Sequence, residues 1–178
     1  MLRAALLFAI LLSACCAALA QNPPCLIVYG HGRNLGSEAE NLAWDRLNLR
    51  FNQQVAASLD AAGRRVVPML LRVGSSSDLG ATLEAVLGEA QRQGCELVVD
   101  TAVFADDANA ALVLRLRVHP LLPALGPRAA ASLPRVGEAI YTSQRDFDFS
   151  PRVLERLQLD RLAQEMTAGY LADSAPRP

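Results

Sequence analysis

The run Cys25-Leu26-Ile27-Val28-Tyr29 is apolar at every position. A strand shows alternate residues to opposite faces, so such a run reads as a strand buried on both sides, inside an α/β fold whose sheet is covered twice. Gly30-His31-Gly32 then reads as a glycine-rich turn.

The rest of the chain supplies the covering layers. From Glu38 a helical period takes over, with Trp44, Leu47, Phe51, Val55 and Leu59 on one face until Gly63 stops it. Arg64 to Val73 is β-rich but contains Pro68, which lacks a ladder donor and assigns this second strand to a sheet edge. Gly74 to Asp78 is a polar linker and helix cap, and Leu79, Leu83, Val86, Leu87 and Ala90 mark a second helix that Gly94 closes. Cys95 to Ala105 and Ala110 to His119 are strands joined by the turn residues 106 to 109, a hairpin.

Pro120 to Gly137, with prolines at 120, 123, 127 and 134, reads as a long, mobile loop, and a fifth strand spans about 138 to 147. Ser150 caps a final helix with Pro151 in its first position, running to about Ala172, and residues 174–178 are expected to be disordered.

This β-α-β-α-β-β-β-α order, with right-handed crossovers, predicts a three-layer α/β/α fold. Its five-stranded mixed sheet has the order 2-1-3-4-5, with strand four alone antiparallel and the two crossover helices on opposite faces. Residues 21–173 are expected to form one domain, as the length after the leader suggests.

The leader is residues 1–20. Arg3, the apolar run Ala4 to Leu12 and the site Ala18-Leu19-Ala20 have the anatomy of a cleavable secretory signal peptide, and the run is too short to span a bilayer. Leu12-Ser13-Ala14-Cys15 also fits a lipobox, which would make the product an outer-membrane lipoprotein acylated at Cys15. Cysteine parity favours a soluble periplasmic product, because cleavage after Ala20 leaves the even pair Cys25 and Cys95. Each opens a strand, and strands one and three are parallel neighbours in the expected order. A disulfide between them follows from strand spacing.

A net charge of −1 argues against nucleic acid as a partner. All 17 basic residues are arginine, which excludes Schiff-base lysines and phosphate-loop lysines. No cofactor motif occurs.

The element string, export and size resemble the amino-terminal domain of TolB and related domains of envelope lipoproteins that serve curli secretion or activate penicillin-binding proteins. The resemblance covers nearly all of the chain after the leader. It implies an accessory or adaptor role through docking onto other envelope proteins, and carries over no functional residue.

Several residues invite a site. Gly30-His31-Gly32-Arg33-Asn34 lies at the switch point between strands one and three, where backbone amides and Arg33 can receive an anion; Asp106 and Asp107 emerge at the same edge. The same set, His31 and Arg33 with Asp106 or Asp107, is the alternative reading as a small hydrolase or transferase, although no G-x-S-x-G elbow accompanies it. The plain alternative is a tight turn with an exposed histidine. His31 and His119 are expected at opposite edges of the sheet, which speaks against a shared metal site, and Asp146-x-Asp148 lacks the spacing of a calcium loop.

Arg115, Arg117 and His119 form a stripe that can receive an acidic partner or anionic glycan, or is simply a solvated strand face. Leu42, Leu49 and Ala56 form a second apolar stripe on the first helix, a candidate partner surface. The resulting expectation is a non-enzymatic exported protein that binds another envelope protein, with the hydrolase and small-ligand readings as rivals.

Overall fold

A computed structural model describes residues 23–31, 37–71, 78–125 and 132–175. The leader with its Cys15 alternative, Arg33, Asn34, most of the 74–78 linker and the last three residues lie outside them.

The strands are β1 (Cys25–His31), β2 (Arg65–Leu71), β3 (Leu97–Asp106), β4 (Ala111–Leu122), β5 (Arg135–Val136) and β6 (Tyr141–Asp148). The helices are α1 (Glu38–Ala61), α2 (Leu79–Gln93), α3 (Pro151–Arg156) and α4 (Leu159–Asp173). The sheet runs β2-β1-β3-β4, with β6 and the short β5 both paired to β4. β1 is parallel to β2 and β3, whereas β4 is antiparallel to β3, β5 and β6. The expected order and the single reversed strand are therefore observed.

The caps expected at Asp78 and Ser150 and the stop at Gly94 are observed, and Ser37 is a further cap, not singled out in sequence. Ser37 and Asp78 accept backbone N–H groups at the starts of α1 and α2, Ser150 does so for α3, and Gly94 closes α2 in the left-handed conformation. Leu26, Ile27 and Val28 are completely buried. Leu26 and Val28 face α1 and α4, in a core with Phe51, Val55, Leu59, Leu114, Leu116, Ala163 and Met166. Ile27 faces the other way, into a smaller core with Val86, Ala90, Val98 and the Cys25–Cys95 disulfide. The bridged Cα atoms are 4.3 Å apart and 70 residues apart in sequence. On the outer surface Arg50 grips both carboxylate oxygens of Asp160 at 2.8 and 2.7 Å, tying α1 to α4.

Three expectations need correction. Gly30 and His31 belong to β1 and are not a turn. Gly30 is small because the sheet is crossed closely there: an added Cβ would stand 2.9 Å from both Asn52 Nδ2 and Thr101 Oγ1.

Pro120 does not end β4, which continues to Leu122. The neighbour on that side changes from β6 to β5 around this point: Ile140 donates to Val118, and Gly137 donates to the Pro120 carbonyl. Leu121 meanwhile donates to Glu96 on the β3 side. The missing Pro120 N–H thus points at the handover between two strands, where no ladder bond is lost.

The final helix is interrupted at Leu157-Gln158. Val153, Leu154 and Leu157 set one apolar phase, whose continuation would fall on Asp160, Arg161 and Gln164. The buried residues are instead Leu159, Leu162, Ala163 and Met166. A break of two residues brings both stripes onto the core.

Candidate functional site

On the α1 and α4 side, apolar residues line the sheet along its length. On the α2 side Val98 stands opposite His119, and beyond them on that face come Asp100 opposite Arg117 and then Ala102 opposite Arg115. The first two turns of α2 overhang this polar ground. Leu79 and Leu83, expected from sequence to be core residues, are 69% and 48% exposed at its edge. The result is a groove of about 330 Å³ between α2 and β4, floored by Tyr29, His31, Asp100, Arg117 and His119.

Asp100 is its centre. Only 8% of the residue is exposed, yet it bears a charge in a strand otherwise made largely of valine, alanine, threonine and phenylalanine. Its Oδ2 accepts from Arg117 Nε at 3.0 Å and from the Arg117 terminal nitrogen. Its buried Oδ1 accepts no hydrogen bond, and His31 Nε2 stands 3.9 Å away. A buried acceptor left without a donor costs about 1–3 kcal/mol, a local cost to the fold at the centre of this face.

The surroundings are cationic. Arg115 lies over the Phe104 ring, 5.1 Å from its centre, with its Nε buried and unpartnered. Burial, and then the neighbouring Arg117 charge, push the Arg115 pKa below the usual guanidinium value, against the pull of Asp100. His119 Nδ1 donates to the Gly137 carbonyl at 3.0 Å, which leaves its Nε2 for another partner. Burial, reinforced by Asp100, pushes the Tyr29 phenol up to about 12.

Of the residues singled out in sequence, His31, Arg117 and His119 meet here, and Arg115 lies one strand repeat further along β4. The expectation that the histidines are too far apart to share a site is corrected. His31 is level with Ala102 and His119 with Val98 on β3, but both point to the same face and line the same groove.

Asp106 lies four residues beyond the His31 row. Its carboxylate closes the hairpin turn, accepting from the Ala108 N–H and the Asn109 amide. The second stripe of α1 does not hold together, since Leu42 is exposed, Leu49 half-buried and Ala56 part of the core. Asp100 and Tyr29 are not among the residues singled out in sequence. The signal for Asp100 is a lone carboxylate inside an apolar run, which a buried strand accepts only with a partner.

Two other concavities are shallower in chemistry. One of about 380 Å³ beside α3 and α4 has an apolar floor of Phe147, Leu157 and Leu162 edged by Arg152, Arg156 and Arg161. The other, about 470 Å³, lies between the end of α2 and the residues Leu121, Pro123, Ser132 and Pro134. Among the described residues no group of three histidine, cysteine or acidic side chains could hold a metal ion, and no helix is long and apolar enough to cross a membrane.

No family model and no curated protein matches the chain. The chain is loosely similar to several solved structures. They include the PelC dodecamer from Paraburkholderia phytofirmans, at 13% identity over 88% of this chain and 89% of that one, with a TM-score of 0.41. Lipoprotein GNA1162 from Neisseria meningitidis aligns at 12% identity over 87% of this chain and 99% of that one, TM-score 0.39. The LpoB C-terminal domain from Salmonella enterica aligns at 17% identity over 76% and 90%, TM-score 0.31. The TolB domain is not one of these three.

Proposed function

We propose that this chain is an exported accessory protein of the cell envelope that binds another envelope protein across the open part of its sheet. The observation that carries the reading is the groove between α2 and β4. There, ionised and hydrogen-bonding groups occupy a sheet face that would otherwise be core, and apolar side chains stand exposed at its mouth. Scattered surface leucines are ordinary, but Leu79, Leu83 and Val136 converge on one concavity around the half-buried Arg117–Asp100 ion pair. The leader supports a periplasmic product beginning at Gln21, with acylation at Cys15 as the anchored alternative. Intact-mass measurement of material from the native host separates the two: an acylated Cys15 overturns the soluble form.

The binding reading is tested in the native host with a photo-crosslinking residue at position 83 and a control at position 107. We expect an adduct from position 83 alone, lost together with the protein's phenotype on Leu79→Glu, a change at an exposed position of the groove edge. Loss of the phenotype in His31→Ala, with adducts unchanged, favours the hydrolase reading instead.

A further inference from the structure

We infer that β6 is the seat of a symmetric dimer, in which a second copy of this chain lays its own β6 antiparallel to the first with Gln144 opposite Gln144 on the two-fold axis. The inference goes beyond the groove reading and uses a different part of the surface.

β6 is an open edge of the sheet. Among the described residues it pairs with β4 alone, whereas β2, at the other edge, carries Pro68. The ladder fixes which backbone groups of β6 are free, because in an antiparallel pair every second residue bonds to the neighbour. Phe149 donates to the Ala110 carbonyl, so in the observed register 143, 145 and 147 bond to β4. Thr142, Gln144, Asp146 and Asp148 therefore turn their N–H and C=O groups outward. The bond from the Leu121 N–H to Glu96, on the β3 side of β4, obeys the same alternation. The outward Gln144 carbonyl accepts from the Arg145 guanidinium beside it at 2.9 Å, a donor that a second strand can replace. All four outward residues are exposed, and the strand contains neither proline nor glycine. Such an edge is a template for another strand.

The side chains select a second copy as that strand. A two-fold must match outward residues with outward residues, so its axis passes through a residue and not between two. The longest pairings are then residues 141–147, with the axis at Gln144, and 142–148, with the axis at Arg145. The second sets two guanidinium groups against each other, which is unfavourable. The first brings no like charges together: Asp146 meets Thr142 of the second copy and Arg145 meets its Ser143, so each charged side chain in the paired span faces a hydroxyl. Tyr141 meets Phe147, both half-buried, in an aromatic cross-strand pair that the symmetry makes twice.

The test uses the purified protein after leader removal, with its Cys25–Cys95 bridge intact. Light scattering over a concentration series is expected to rise to twice the chain mass. Gln144→Glu and Gln144→Lys each put like charges on the axis and are expected to stay at the chain mass, while an equimolar mixture of the two returns the doubled mass. Gln144→Cys is expected to cross-link two chains on mild oxidation, since opposed Cα atoms about 5.5 Å apart suit a disulfide. Thr142→Cys would lie about 13 Å from its symmetry mate and is expected not to cross-link. Both positions are exposed, and a retained circular dichroism spectrum shows that each variant is folded. The chain mass at every concentration overturns the proposal, as does cross-linking at 142 equal to that at 144. A doubled mass in both separate charge variants places the contact elsewhere and also overturns it. None of these outcomes bears on the crosslink at position 83, which reads the groove.

Discussion

Asn48 does for β3 what a neighbouring strand does elsewhere. β1 ends level with Ala102, and at the next residue Asn48 accepts from the Val103 N–H at 2.8 Å and donates to the Val103 carbonyl at 2.9 Å. Asn48→Leu strands both groups in the core, and a loss of about 3 kcal/mol is expected. Denaturant melts should show a lower midpoint at unchanged slope; an unchanged midpoint would mean that water replaces the amide.

At Tyr29 the pH dependence has a definite sign. The raised value, about 12 against the ordinary 10.0, means that the unfolded chain ionises first, so this contribution to stability is complete below pH 10 and is lost as pH rises towards 12. The difference in phenolate absorbance between the native protein and Tyr29→Phe should titrate near 12, and a midpoint near 10 would contradict the burial. Neither residue announces itself in sequence. Asn48 sits next to the apolar period of α1, where a polar side chain reads as surface, and Tyr29 closes a run that reads as core.

Among the elements, α2 shows where periodicity stops being informative. Leu79, Leu83, Val86, Leu87 and Ala90 share one face, but only the last three are buried, because a stripe reports which face is apolar and not how far the sheet beneath extends. Leu83→Glu should therefore leave the thermal midpoint within a degree or two, while Val86→Glu buries an unpaired carboxylate and costs several kcal/mol. Paired melts decide it, and equal losses would mean that the start of α2 is packed. The strand order is legible because Pro68 and the apolar β1 run leave little choice, and the disulfide follows from that order. The extension of β4 through Pro120 is not, since whether a proline harms a strand depends on which side its nitrogen faces. The break before α4 is written in the phase shift between Leu157 and Leu159, and a count of apolar residues that ignores their angle does not reveal it.

At the scale of the whole molecule, the two faces of the sheet have different duties. The face under α1 and α4 carries most of the core, and the face under α2 is shared between a small core and an open groove. The Cys25–Cys95 bridge belongs to the smaller side, and closing a loop of 70 residues contributes about 4 kcal/mol in the chain-entropy model. Reductant should therefore lower the thermal midpoint by roughly 10 °C. Two free thiols in native-host protein, labelled under denaturing and non-reducing conditions, would remove that expectation.

The bridge also decides how the domain answers to force. A pull on the chain ahead of Cys25 meets a covalent link before it meets a hydrogen bond. β1 cannot be unzipped from its first residue, and part of the tension passes to Cys95, between the end of α2 and the start of β3. A domain fastened this way can hang from its own leading end without fraying.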